Sequence, residues 1–176
     1  QGGDGQIVSF GSANSTEGSI NISGSTCSYN SFSGSHWSRL KDNSKPTILK
    51  GTVIETIDEM CDWYAVKFTD KISYTHEGIT YDDAVIVKED DNKHTKCKIS
   101  DTEDSKRVYG VFADWDNDDD TVNDMYVTAV GTHVVRINKD VTIQAGDLLS
   151  SNGDGTAKVQ DDDIIRSKTI GKVLTN

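Results

Sequence analysis

The chain has 176 residues and a formal net charge of −11, and only 34% of its residues are hydrophobic. Such acidity disfavours nucleic-acid binding, because phosphates would be repelled. No run of residues approaches the length of a membrane span, so no membrane insertion is expected. The low hydrophobic fraction limits the core that one copy can build, which favours association with other copies.

The first segment, residues 1–35, is rich in Ser, Gly and Asn and contains few apolar residues. A flexible linker has this composition. However, apolar residues alternate with polar ones, as in Ile20-Asn21-Ile22, and this pattern favours a fibre shaft around which three chains wrap. We therefore predict a shaft-like or linker segment over 1–35 and a β-rich domain over 36–176.

The sequence of residues 36–176 predicts many short strands separated by turn residues, which is typical of an all-β barrel or sandwich. One stretch, 57–61, is predicted to form a helical turn instead. The predicted strands cover residues 47–57 with a bulge at Gly51, 63–69, 84–87, 108–112, two strands around Gly131 within 125–137, 164–165 and 169–174.

The strongest local signal lies near the C-terminal end of the sequence. A Gly146-Asp147 turn precedes a short strand at 148–151, and Asn152-Gly153-Asp154-Gly155 then predicts a hairpin turn. This pattern resembles a β-domain found near the C-termini of phage fibre and appendage proteins. The resemblance implies a structural virion protein that forms a homotrimer, contacts other virion tail proteins and resides in the tail after assembly in the host cytoplasm.

Two further resemblances extend over most of the chain. Four motifs together look like the C-terminal regions of uncharacterised marine phage tail proteins. They are Ser-His-Trp-Ser-Arg-Leu at 35–40, Lys-Pro-Thr-Ile-Leu-Lys-Gly-Thr-Val at 45–53, Tyr-Gly-Val-Phe at 109–112 and Gly-Asp-Leu-Leu-Ser-Ser-Asn-Gly-Asp-Gly at 146–155. Residues 34–174 are also similar to the glutamic-type self-cleaving domain of phage neck appendages.

Self-cleavage of that kind implies a pair of carboxyl groups, one protonated and one ionised, that polarise a water or the scissile amide. The candidates are Glu55, Asp58 and Glu59, which the sequence groups at one strand end. The alternative for these residues is a solvated acidic edge.

The junction Ser35-His36-Trp37-Ser38-Arg39-Leu40-Lys41 resembles that of self-cleaving chaperone domains in phage tailspikes, Ser-Asp-x-Arg-Leu-Lys. Here Arg-Leu-Lys matches, the Asp is missing and Ser35 is one residue further from Lys41. The resemblance implies that Ser35 and Lys41 act in cleavage, with Lys41 as general base if burial lowers its pKa. The alternative is a junction between shaft and head in which Trp37 is a buried packing anchor.

An acidic loop contains Asp114, Asp116 and Asp118 at alternate positions, as carboxylates do in calcium loops. The helix-loop-helix calcium motif fails, since Asp119 replaces its Gly and Met125 its Glu. An irregular calcium site is the one cofactor considered; otherwise we expect an exposed loop with Trp115 folded back onto the domain.

The remaining reactive residues show no functional spacing. Cys27, Cys61 and Cys97 lack zinc-site spacing, and we predict buried free thiols, which fits assembly in a reducing cytoplasm. The four histidines have no ligand spacing, and His133 is predicted to be packed and hydrogen-bonded. The sequence also contains no nucleophile elbow and no phosphate loop, so no catalysis on a separate substrate is expected.

Four functions follow from these features. The first is a structural trimerising cap, and the second is a self-cleaving intramolecular chaperone. The third is a fibre tip that binds host surface glycans by stacking them on Trp37, Trp63, Tyr81 or Trp115. The last is a bacterial surface or filament protein that uses the same β-module.

Overall fold

A computed structural model describes residues 5–12, 15–30, 34–68, 74–81, 84–117 and 122–175. The regular structure of these residues is strand, and the fold is all-β with a closed barrel, as predicted. The strands are β1 (Gly5–Ser12), β2 (Ser15–Ser23), β3 (Thr26–Asn30), β4 (Gly34–Leu40), β5 (Val53–Phe68), β6 (Tyr74–His76), β7 (Ile79–Tyr81), β8 (Ala84–Ile99), β9 (Val108–Trp115), β10 (Asp124–Val130), β11 (Leu148–Ser151), β12 (Ala157–Val159) and β13 (Gly171–Lys172).

The N-terminal strands β1, β2 and β3 form an antiparallel sheet in that order. Val8 lies opposite Ile20, and Ile22 lies opposite Cys27. A tight turn at Gly24, whose φ is 58°, joins β2 to β3. This sheet, called the N-terminal sheet below, occupies the segment for which a shaft or linker is predicted.

Five strands close into the barrel in the order β10, β4, β8, β5 and β9. Neighbouring strands are antiparallel, except β4 and β8, which are parallel. Alternate strand residues point to opposite faces, so one set fills the interior. The buried cluster consists of Leu40, Ile48, Ile54, Cys97, Phe112, Met125 and Val127.

Strands β5 and β8 are long and extend beyond the barrel as a two-stranded ribbon, from Asp62 opposite Asp90 to Phe68 opposite Ala84. The helical turn predicted at 57–61 is wrong, because these residues belong to β5. The register of β5 against β8 shifts on both sides of Met60. At such bulges one strand contains an extra residue that has no partner on the neighbouring strand, and the alternation of side chains shifts there.

The C-terminal sheet contains β12, β11 and β13. The predicted hairpin is confirmed, since Leu149 pairs with Val159 and Ser151 with Ala157. Its buried cluster includes Val53 of the barrel strand β5. The C-terminal sheet therefore packs directly against the barrel.

Three strand predictions are wrong. Residues 164–165 belong to no strand. Residues 47–52 are irregular, and Gly51 lies in a turn with φ of 83° rather than in a bulge. A Cβ at Gly51 would lie 2.8 Å from the Val134 carbonyl oxygen, so this turn is held against a neighbouring segment. Residues 132–137 form no second strand; Ile137 makes only an isolated bridge to Ala157.

Candidate functional site

The junction motif lies on strand β4, where successive side chains point to opposite faces. Ser38 and Leu40 are buried, and Ser38 Oγ donates to the Thr95 carbonyl oxygen at 2.7 Å. Residues of both faces pair with β10. On the face opposite Ser38 and Leu40, Ser35 pairs with Thr128, Trp37 with Tyr126 and Arg39 with Asp124. One face of this strand therefore contributes to the barrel core, and the other carries polar and aromatic side chains beside those of β10.

Arg39 is the centre of a buried ionic network and is only 4% exposed. Its Nε donates to Asp124 Oδ1 at 2.8 Å, and an Nη donates to the Asp62 carbonyl oxygen at 3.1 Å. Lys96 Nζ lies 3.4 Å from Asp62 Oδ1, and Lys88 pairs with the other oxygen of Asp62. The network thus connects β4, β5, β8 and β10.

The structure does not bring Ser35 and Lys41 together. Ser35 is exposed, and its hydroxyl hydrogen-bonds the Thr128 hydroxyl at 3.0 Å. Lys41 follows the other end of β4 and pairs with Glu59. At about 3.3 Å per residue, roughly 20 Å of strand separate them. Lys41 is also largely exposed, so burial does not prepare it to act as a base.

Glu55 is fully buried and accepts a hydrogen bond from Ser100 Oγ at 2.5 Å. The Ser100 and Ser151 hydroxyls are 2.5 Å apart, and the Gly153 amide donates to Ser151 Oγ at 3.0 Å. Lys98 Nζ lies 3.7 Å from Oε2 of Glu55. This chain of donors joins the barrel to the C-terminal hairpin and satisfies a buried carboxylate.

The other two acidic candidates lie in different surroundings. Asp58 is exposed. Glu59 is partly exposed, and its hydrogen bond with Lys41 lowers its pKa. Lys96 Nζ is 4.0 Å from Glu59, whereas Glu55 contacts Lys98. Across the described residues Glu55 and Glu59 share no ion-pair partner, and Glu59 is ionised rather than protonated at neutral pH.

In the predicted calcium loop, Asp114 and Asp116 already have partners. Lys50 Nζ lies 2.8 Å from Asp114, and its hydrogen bond lowers the pKa of that carboxyl. The Tyr126 hydroxyl donates to Asp116 at 2.8 Å. Asp118 lies outside the described residues. Within the described ranges no group of at least three His, Cys, Asp or Glu side chains has a metal-binding arrangement, and calcium binding stays a prediction.

Trp37 is 42% exposed on the outer face of the barrel, which contradicts its predicted burial as an anchor. Its ring centroid lies 5.7 Å from that of His94 and 6.5 Å from that of Tyr126. The reason is the alternation of β4, which sends Trp37 outward when Ser38 and Leu40 point inward. The three rings form an aromatic patch at the surface.

The other aromatic residues that were predicted to stack on glycans do not belong to this patch as described. Trp115 packs edge-on against Phe112, with centroids 5.5 Å apart, and Lys45 Nζ lies 5.7 Å from the Trp115 ring. Trp115 thus folds back onto the barrel, as predicted for the alternative without calcium. The side chains of Trp63 and Tyr81 lie outside the described part of the molecule.

Two of the three thiols are buried, as predicted. Burial raises the pKa of Cys61 to about 11 and that of Cys97 to about 11. These thiols are protonated and inert at neutral pH. Cys27 is exposed on the N-terminal sheet, which corrects the prediction that it is buried, because one face of this sheet lacks a covering layer in a single copy.

A cavity of about 220 Å³ lies beneath the last strand. His133 lines it; burial lowers its pKa, and its Nδ1 has no hydrogen-bond partner among the described residues. The imidazole also has a hydrogen bond with the Gly131 backbone, so the prediction of a packed, hydrogen-bonded histidine is confirmed only in part. The apolar part of the lining includes Val135, Ile137, Ile143, Leu149, Ile170 and Val173. One neutral imidazole in an apolar wall does not provide a nucleophile together with a base.

The sequence motifs did not reveal the Arg39 network. Its pairs Arg39 to Asp124 and Arg39 to Asp62 join residues that are far apart in the chain. The one available signal was the alternation around Arg39, which places a charged residue between the core residues Ser38 and Leu40.

No protein-family model, curated protein or solved structure matches this chain. No helix in the described part of the chain has the length and apolar character needed to cross a membrane.

Proposed function

We propose that this chain is a structural component of a phage tail fibre or appendage, in which its β-rich domain caps a homotrimer. The observation that carries the proposal is the N-terminal sheet. Phe10 is 56% exposed there, and Val8 and Ile22 are each 36% exposed. Burying a Val, Ile or Phe side chain contributes about 1.5–3 kcal/mol, so a face of such residues favours association.

The ribbon of β5 and β8 supports the same proposal. Among the described residues, its outer half, from Asp62 to Phe68 on β5, pairs only with β8. An isolated two-stranded ribbon is marginally stable in water, and a neighbouring copy would supply the missing contacts. In the assembled particle, other virion tail proteins are the expected neighbours.

Native mass spectrometry tests the proposal. The expected particle has three times the 19.2 kDa mass of one chain. Electron microscopy of the same sample should show elongated particles with three-fold symmetry. A stable particle with the mass of a single chain at micromolar concentration would contradict the proposal.

A second candidate function, host glycan binding, is favoured by the aromatic patch of Trp37, His94 and Tyr126. Exposed aromatic rings offer apolar stacking faces beside polar groups. A glycan array should then show binding that Trp37→Ala removes, whereas Ile165→Ala, at another exposed apolar residue, leaves it unchanged. Absence of binding by the wild-type protein, or equal binding by both variants, would count against this function.

A further inference from the structure

The register of the N-terminal sheet divides its residues between two chemically different faces. Cross-strand partners share a face, as do residues two apart on one strand. Val8 pairs with Ile20, and Ile22 pairs with Cys27. Phe10 lies two residues after Val8. Together these five residues make up what is called the apolar face below.

The opposite side of the same sheet is polar. Ser9 pairs with Ser19, and the Asn21 amide donates to Ser19 Oγ at 2.8 Å. Polar side chains such as these remain favourably hydrated when they are exposed, so this side needs no covering layer. Among the described side chains of this sheet, three of the exposed large hydrophobic residues, Val8, Phe10 and Ile22, lie on the apolar face, and the fourth, Ile7, lies at the register shift between Gln6 and Val8.

Charge indicates what covers the apolar face. Between residues 5 and 30 the only Asp, Glu, Lys or Arg is Glu17, although the whole chain carries a net charge of −11. Two copies therefore repel each other over most of their surfaces but least at this sheet. A charged partner, in contrast, would find no complementary charges there.

We propose that the apolar face packs against the apolar faces of other copies of this chain, with Ser9, Ser19 and Asn21 directed outward. This inference rests on the proposed function, because it requires several copies. Beyond the proposed homotrimer, it specifies which side of the sheet is buried and that the partner is another copy of the same chain. Each copy supplies the same uncharged surface, so the apolar faces of three copies can meet around a common axis without repulsion between charges.

The cysteines allow a direct test. Cys61 and Cys97 are buried, and burial raises the pKa of each thiol, so the exposed Cys27 is the thiol that reacts in a single folded copy. In the proposed assembly Cys27 is buried between copies. Its reaction with a maleimide should then be slow in the assembled protein and fast after unfolding.

The experiment compares the wild-type protein with a variant that combines Cys27→Ser and Asn21→Cys, which moves the thiol to the polar side of the same sheet. Each protein is treated with N-ethylmaleimide, modified peptides are quantified by mass spectrometry, and light scattering gives the native mass. In the assembled state Cys27 should react at least about tenfold more slowly than the cysteine placed at position 21.

Two results overturn the inference in different ways. If the protein is oligomeric but both positions react equally fast, or position 21 is the protected one, the apolar face is not the interface and the proposed assembly still stands. If the wild-type protein is a single chain, the inference and the proposed function fail together.

Discussion

Arg39 and Asp124 face each other across β4 and β10, and the Arg39 Nε donates to Asp124 Oδ1 at 2.8 Å in a nearly solvent-free setting. The same guanidinium reaches Asp62 on β5. Arg39 therefore connects β4 to β10 and β5. Its loss would remove the cation beside the buried Asp124, whereas Asp62 would keep Lys88 and Lys96.

Replacing Arg39 by Leu should lower the free energy of unfolding by about 3–5 kcal/mol, because removing one partner leaves buried charge uncompensated. The control is Arg166→Leu, which removes the exposed pair with Asp162 and should lower the free energy of unfolding by less than about 1 kcal/mol. Urea unfolding monitored by fluorescence measures both. Equal decreases in the free energy of unfolding for the two variants would show that the buried Arg39 network contributes no more stability than an exposed ion pair.

Replacing Gly153 by Val should destabilise the C-terminal hairpin by about 2 kcal/mol or more, because a β-branched residue is strained in the left-handed region. Gly153 has φ of 81°, and a Cβ there would lie 2.8 Å from the Glu103 amide nitrogen. Gly171→Ala is the control, since no atom lies within 4 Å of its Cβ position. Thermal unfolding separates the two, and an unchanged Tm for Gly153→Val would refute the role of this turn.

The stability of the protein should fall in acid partly through Asp104. Burial raises the pKa of this carboxyl, but hydrogen bonds from Lys168 and Ser150 outweigh it and hold the pKa below its usual value of 3.8. A lowered pKa contributes stability above the unfolded value, and this contribution is lost as the pH falls through the folded value.

The matched variant is Asp104→Asn, because Asn tolerates the positive φ of 53° at this position. The difference in unfolding free energy between wild type and variant should be greatest above the usual carboxyl pKa and shrink below it. Denaturant titrations at several pH values measure it. A difference that does not depend on pH would contradict this assignment.

If the domain is structural, the chain should stay intact after purification and prolonged storage. The buried Glu55 is held by Ser100 and Glu59 by Lys41, so the two carboxyl groups have different partners and do not form the pair that this cleavage requires. Mass spectrometry should show one full-length chain for the wild type and for the variant that combines Glu55→Gln, Asp58→Asn and Glu59→Gln. Two fragments from the wild type and one chain from the variant would instead favour self-cleavage.

The sequence predicted features that depend on neighbouring residues. The Asn152-Gly153-Asp154-Gly155 turn was identified because Gly is required where φ is positive, and the strand over 108–112 was identified from its apolar run. Features that depend on distant partners were missed. The bulges around Met60 follow from pairing with β8, and the exposure of Trp37 follows from which face of β4 joins the barrel core.

The candidate site was predictable to a smaller extent. The motif at 35–41 marked the right strand, but Ser35 and Lys41 lie near opposite ends of it. The pairing of Lys41 with Glu59 joins residues that the sequence assigned to two different cleavage mechanisms. Ser35 and Lys41 are kept apart because they lie near opposite ends of one extended strand. Lys41 and Glu59 come together because the barrel brings different parts of the chain into contact.

The most direct test of self-assembly through the N-terminal sheet places one negative charge on either side of it. Phe10→Asp puts a carboxylate into the proposed interface, where desolvation is unfavourable, whereas Ser9→Asp puts it on the polar side of the same strand. Light scattering should give a single-chain mass of 19.2 kDa for Phe10→Asp and the wild-type oligomer for Ser9→Asp. Wild-type mass for both variants would contradict the account.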